Sequence, residues 1–174
     1  MRKEPVVRKK KKSFYETSYW YINTYNSLGS SWLIKSIEKL DLKKNYIFIN
    51  LSANSGRYEK DVYNMHFDQY YPTYYIGDKE ASKLKDEKEK SYEHFYYIQG
   101  DNDAVTMDIS TIPVKADILL DCKGALWHTV VDKKSGKERK VQLLQLLENY
   151  SNLLKDTGVL LIDCYKGDFF VSFC

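Results

Sequence analysis

The chain has 174 residues, 43% hydrophobic and 29% charged, the balance of one globular domain with room for a substantial core, which excludes a fibrous or wholly disordered protein. Its net charge of +3 is uneven: residues 1–12 carry seven basic residues against one acidic, so +6, and the remaining 162 sum to −3. The basic tail, not the body, makes the protein cationic, so residues 1–12 are predicted to be disordered, with weak nonspecific contact to nucleic-acid phosphates or to an anionic surface as the interactions they support.

Beyond the tail, an aromatic and polar approach leads to Ser30 or Ser31 as cap of a predicted helix with Leu33, Ile37 and Leu40 on one face. Residues 46–50, "YIFIN", read as a buried strand entering a turn of small polar residues, "LSANSG". Tyr58, Val62 and Met65 follow the helical period and predict a helix over 57–66. Tyr74, Tyr75 and Ile76 form a second short strand ending at Gly77-Asp78, and "KEASKLKDEKEKSYEH" predicts an exposed, charged helix. Residues 95–98 and 104–107 are both strand candidates around "QGDND", as a hairpin or as one interrupted strand.

Residues 116–122, "ADILLDC", form an almost continuous apolar run that suits a strand buried on both faces. After the polar loop "DKKSGKERK", the stripe Leu143, Leu144, Leu146, Leu147, Tyr150, Leu153 and Leu154 gives the strongest helix. Gly158 closes the turn after it, 159–165 read as another buried strand, and "DFFVSFC" is a last strand candidate. Strands alternating with helices predict a single α/β domain over 13–174, a three-layer sandwich around a mostly parallel sheet. Ligands in such sheets bind beyond the carboxyl ends of the strands, here 50–56, 78, 108 and 121–128.

The 16 tyrosines, clustered as Tyr70-Tyr71 and Tyr74-Tyr75, suit half-buried packing first and ligand surfaces second. Cys122, Cys164 and Cys174 are an odd count without metal-ligand spacing, so free thiols and a reducing compartment are expected, with no metal site. The charged start has no apolar region after it, and no apolar run reaches the roughly 18 residues a membrane helix needs. The expectation is a cytoplasmic protein without a membrane span, its oligomeric state open.

In order, residues 31–165 resemble the class I S-adenosylmethionine-dependent methyltransferases. "FINLSANSG" is similar to the family's first strand, acid and loop of three alternating glycines, and "YIGDKEAS" to its second strand with the ribose-holding acid. "DISTIPVKADILLDCKGALWH" resembles the acid near the adenine, a proline and the fourth strand with its loop, and "LLENYSNLLKDTGVLLI" the helix, turn and fifth strand. The resemblance implies a Rossmann-like methyltransferase sheet, its final hairpin incomplete, and S-adenosylmethionine as cofactor. It assigns cofactor contacts to Asn50, Ser52, Asn54, Gly56, Asp78, Asp108 and Ile109, with Asp101 as alternative to Asp108 at the adenine. It places Asp121 and His128 at the transfer chemistry and implies a small-molecule substrate.

The chain departs from the family at Asn50, which is uncharged where the family has its first acid, and at Ser52 and Asn54, which replace two loop glycines. Asparagine tolerates positive φ, so Asn54 can keep the turn, whereas the Ser52 side chain fills space a glycine leaves empty. Asp121-Cys122-Lys123-Gly124 stands where an Asn-Pro-Pro-Tyr-type motif would be, which argues against amino methylation by the mechanism that uses it. Two residue roles stay open. Asp78 and Asp108 are ribose and adenine contacts or turn caps, and His128, with an unperturbed pKa of about 6.5, is a base or a surface residue. A non-catalytic binding or assembly module on the same fold is the alternative function. An NAD-binding site fits the sheet, but its loop fingerprint is just as distant.

Overall fold

A computed structural model describes residues 36–53, 56–80, 92–100, 102–122, 124–131 and 136–163. The elements run β1 (Ile47–Asn50), α1 (Arg57–Tyr70), β2 (Thr73–Ile76), β3 (Phe95–Tyr97), a 3₁₀ turn (Ile109–Thr111), β4 (Ala116–Cys122), α2 (Ala125–Val131), α3 (Gly136–Leu153) and β5 (Leu154–Asp163). The five strands form one sheet in the order β3-β2-β1-β4-β5, every neighbouring pair parallel.

Alternation along each strand splits the core into two layers. Phe48, Tyr74, Ile76, Phe95, Ile118 and Leu120 pack on one face with Val62 and Tyr63 of α1. Ile49 and Leu119 point to the other, against Leu126 of α2 and Leu146, Tyr150 and Leu153 of α3. The central strands are apolar in consecutive positions because both faces are covered. That is the expected three-layer α/β sandwich with a parallel sheet.

The register is continuous from Ile47↔Thr73 to Asn50↔Ile76 and from Phe48↔Ile118 to Asn50↔Leu120. β1 is thus central, and the chain leaves it toward β2 and β3 before crossing to β4 on its other side. The ends of β1 and β4 therefore form the switch point where open parallel sheets carry their ligands.

Several expectations are corrected. Residues 104–107 are not a strand: the Asp103 carboxylate accepts from Val105 N–H at 3.0 Å and its carbonyl from Thr106 and Met107, which curls the segment into a turn. The first residues after β4 are not a loop throughout, since Asp121 caps the start of α2 and puts Trp127 and His128 on a helix. The helix predicted over 57–66 runs on to Tyr70. Gly158 lies within β5 rather than before it, in an irregularity where the pairing steps from Ala116↔Leu154 to Ile118↔Val159. A Cβ at Gly158 would lie 2.7 Å from the Ala116 carbonyl oxygen. Leu154 belongs to β5, and Leu144 faces outward. The tail, the cap at Ser30 or Ser31, most of the charged run, Asn54, Asp101, Cys164, Cys174 and "DFFVSFC" lie outside the described residues.

Candidate active site at the carboxyl ends of β1, β2 and β4

β1 ends in Asn50, 1% exposed, and the chain turns sharply after it. The Asn50 side-chain oxygen accepts from Ser52 N–H at 2.8 Å, and backbone bonds Gly77 N–H to Asn50 O and Ala53 N–H to Gly77 O tie the loop to the end of β2. Gly56 N–H donates to Ala53 O at 2.8 Å, and Gly56 takes φ 69°, the left-handed region where a side chain is disfavoured. The surviving glycine stands where the backbone requires it, as the residue before α1.

The other end of the Asn50 amide meets an acid from α1. Asn50 Nδ2 donates to Glu59 Oε1 at 2.6 Å. Glu59 is 2% exposed in the first turn of α1, and its Oε2 takes no hydrogen-bond donor among the described residues. Burial pushes its carboxyl up to about 7, against the pull of its own backbone N–H and the Asn50 amide; the Asp78 and Asp61 carboxylates add to the rise. A strand-end asparagine and a helix N3 glutamate nine residues apart read as separate caps in sequence. Only the fold brings them together.

Asp78 follows β2 and is 6% exposed. Its Oδ1 accepts from Glu80 N–H at 2.9 Å and its carbonyl from Asn102 N–H at 3.0 Å. The turn-capping geometry and the strand-end position coexist, since a carboxylate has further lone pairs. Asn102 was not singled out in the sequence. Its Nδ2 donates to the carbonyls of Gly100 and Ile98 at 2.9 and 3.2 Å, and a Cβ at Gly77 would lie 3.2 Å from it. Asp108 is exposed and caps the 3₁₀ turn, its Oδ1 accepting from Ser110 N–H at 3.0 Å, and the Ser110 hydroxyl together with that N–H lowers its pKa. Ile109, in that turn, packs half-buried against the core layer of α2 and α3.

At the end of β4, Asp121 is 1% exposed and fully engaged. Its oxygens accept from Gly124 N–H at 2.9 Å, Leu126 N–H at 2.8 Å and the Tyr150 hydroxyl at 2.5 Å. Burial raises its pKa, and these three donors oppose the rise. Tyr150, read in sequence only as core, is the partner that holds Asp121 from α3. Ser52 Oγ accepts from Ala125 N–H at 3.2 Å, so the β1 loop reaches the start of α2. A Cβ at Gly124 would lie 2.5 Å from Ser52 Cβ and 2.6 Å from Asp121 Oδ1. His128, one turn on, is exposed, its ring set edge-on to Trp127.

The structure therefore gathers Asn50, Ser52, Gly56, Glu59 and Asp78 at β1 and β2, and Ser52, Asp121 and Gly124 at β1 and β4. It leaves Asp108 at the surface. Among the described residues no group of three or more His, Cys, Asp or Glu is placed to hold a metal ion, and no helix is long and apolar enough to cross a membrane.

No protein-family model matches the sequence, and no curated protein matches it. Solved structures do match in fold. A chain of the complex between the Haloferax volcanii Trm112 methyltransferase activator and a candidate methyltransferase superposes with a TM-score of 0.56 at 10% identity, over 84% of this chain and 55% of that one. The precorrin-6y C5,15-methyltransferase of Geobacter metallireducens GS-15 gives 0.52 at 12% identity, over 82% and 62%. An O-methyltransferase family protein of Burkholderia thailandensis gives 0.50 at 18% identity, over 76% and 37%. The chain thus spans less than two thirds of the length of each.

Proposed function

From a chain whose fold is that of the class I S-adenosylmethionine-dependent methyltransferases, we propose a methyltransferase that binds S-adenosylmethionine beyond β1 and β2 and methylates a small molecule over the end of β4. The observation that carries this reading is the buried polar group Asn50, Glu59 and Asp78 at the strand ends, with one Glu59 oxygen lacking a donor among the described residues. An unsatisfied buried carboxyl oxygen at a sheet switch point fits a polar ligand there better than it fits a closed core. The bound cofactor would supply the electrophilic methyl group. Asp78 would accept from the ribose hydroxyls, the loop with Ser52, Asn54 and Gly56 would lie along the ligand, and Asp108 with Ile109 would flank the adenine. His128 would take the proton of the acceptor, and Asp121 would hold α2 in place to present it.

Calorimetric titration with S-adenosylhomocysteine tests this. Micromolar binding is expected in the wild type, and Asp78→Ala should weaken it by about tenfold or more, the worth of a hydrogen bond to a charged group. A second reading has its own support: the Asp121 oxygens are taken by three internal donors, as suits a fold kept as a binding or assembly module. No heat from either protein, with both folded, would leave that reading standing and the enzyme reading refuted. Contact of residues 1–12 with nucleic acid is a separate proposal, checked by whether binding falls steeply with salt and vanishes on their removal.

A further inference from the structure

We propose that Glu59, held by Asn50, is the acid of the ligand site, moved from the end of β1 to the first turn of α1, and that it accepts a hydrogen bond from a donor on the bound nucleoside ligand. The inference rests on the cofactor reading above and assigns it a residue that the loop sequence does not suggest. Asn50 is uncharged, so the strand end itself carries no acid. Its amide instead turns toward Glu59 and fixes Oε1 at 2.6 Å, which leaves Oε2 buried and without a donor among the described residues. A carboxyl in the interior with one oxygen unmet is destabilising on its own account. A site that keeps one at the carboxyl edge of a sheet has a use for the free oxygen.

The groups acting on Glu59 explain how it would respond. Asp78, beyond β2, and Asp61, on its own helix, are both acidic, and the hydroxyl of Tyr74 lies on the neighbouring strand. The adjacent Lys60 carries its ammonium over the rings of Tyr92 and Tyr97, 5.5 and 5.9 Å from their centroids. With burial and two carboxylates favouring the neutral form, Glu59 is partly protonated near neutral pH in the empty protein. A ligand donor, above all a cationic one, favours the carboxylate, so binding expels the proton. S-adenosyl compounds offer two donors of this kind, the ammonium of the amino-acid end and the ribose hydroxyls.

The test is calorimetry in two buffers of different ionisation enthalpy, on wild type and Glu59→Gln, with S-adenosylhomocysteine and with methylthioadenosine, which lacks the amino-acid end. At about pH 7 the wild type is expected to release about half a proton per S-adenosylhomocysteine, with affinity rising about tenfold between about pH 6 and pH 8. Glu59→Gln should release none and show a flat profile. Release kept with methylthioadenosine assigns the donor to the nucleoside; release lost with it assigns the ammonium. Binding in Glu59→Gln with unchanged proton release and slope overturns the inference while the methyltransferase reading stands. A folded wild type that binds neither compound overturns both. Melting of the ligand-free proteins at about pH 8 supplies a second readout. Glu59→Gln should melt no lower than the wild type, and a marked loss would make Glu59 a structural brace and sink the proposal.

Discussion

At the scale of single residues, Asp121 and Gly124 hold the junction of β4 and α2. Asp121→Asn would set an amide N–H₂ or a single oxygen against three donors, and a loss of about 2 kcal/mol in a urea midpoint is the expected outcome. Gly124→Ala forces a methyl against Ser52 and Asp121, and about 1–3 kcal/mol of destabilisation is expected in the same assay. Tyr71 works the other way. It closes α1 with its N–H on Phe67 O and φ 49°, a conformation that is strained for any residue with a Cβ. Tyr71→Gly should therefore raise stability by about 1 kcal/mol, less a few tenths for the ring contact with Phe67.

At the scale of elements, α1 is joined to the sheet by a buried polar chain as well as by apolar contact. Tyr46 on the approach to β1 links His66 Nδ1 of α1 at 3.2 Å and the Tyr74 hydroxyl of β2 at 3.0 Å. His66 is 5% exposed, and burial lowers its pKa, with the Glu38 carboxylate opposing. A histidine whose folded pKa lies below its unfolded value of about 6.5 leaves the unfolded state holding more protons as the pH falls. Its contribution is therefore intact above about pH 6.5 and declines below it, through the lowered folded pKa. Glu59 titrates in the opposite sense, since its pKa is raised and its burial weighs most on the folded state at high pH. The His66 term is best read as the stability difference between wild type and His66→Gln, which should shrink or reverse as the pH is lowered.

Elements with a strong apolar signal were legible in the sequence: β1, β2 and β4 stand where the apolar runs put them, and α3 carries the leucine stripe but begins at Gly136, inside the segment read as a polar loop. The turn at 104–107 was not, because Ala104, Val105 and Met107 mimic a short strand while Asp103, with its carboxylate and carbonyl, decides the backbone. The start of α2 was missed for a similar reason. Its cap, Asp121, is the last polar residue of a strand, and the bond that fixes it comes from Tyr150, 29 positions on. Of the candidate site, the strand-end residues Asn50 and Asp78 were singled out by position. Glu59 was not, since its role depends on a side-chain partner across the first loop.

At the scale of the whole molecule, the order β3-β2-β1-β4-β5 puts a reversal of direction at the β1/β4 boundary, so the chemistry-bearing ends of both strands lie side by side. The sheet follows from two apolar faces that α1 on one side and α2 with α3 on the other must cover. Truncating a core position should therefore loosen the layer it belongs to. Phe48, wholly buried in the α1 layer and stacked 4.4 Å from Tyr74, is one such position, and Phe48→Ala is expected to remove about 3–5 kcal/mol, seen as a lower thermal midpoint.

The close approach of Ser52 and residue 124 carries a consequence for how this sequence can change. The β1 loop holds a serine where a glycine would have left room, and the room comes instead from the facing chain, from the glycine just before α2. Among descendants of this chain the two positions are bound to drift as a pair. A larger residue at 124 will be found where position 52 has become glycine, and lineages that keep Ser52 will keep Gly124.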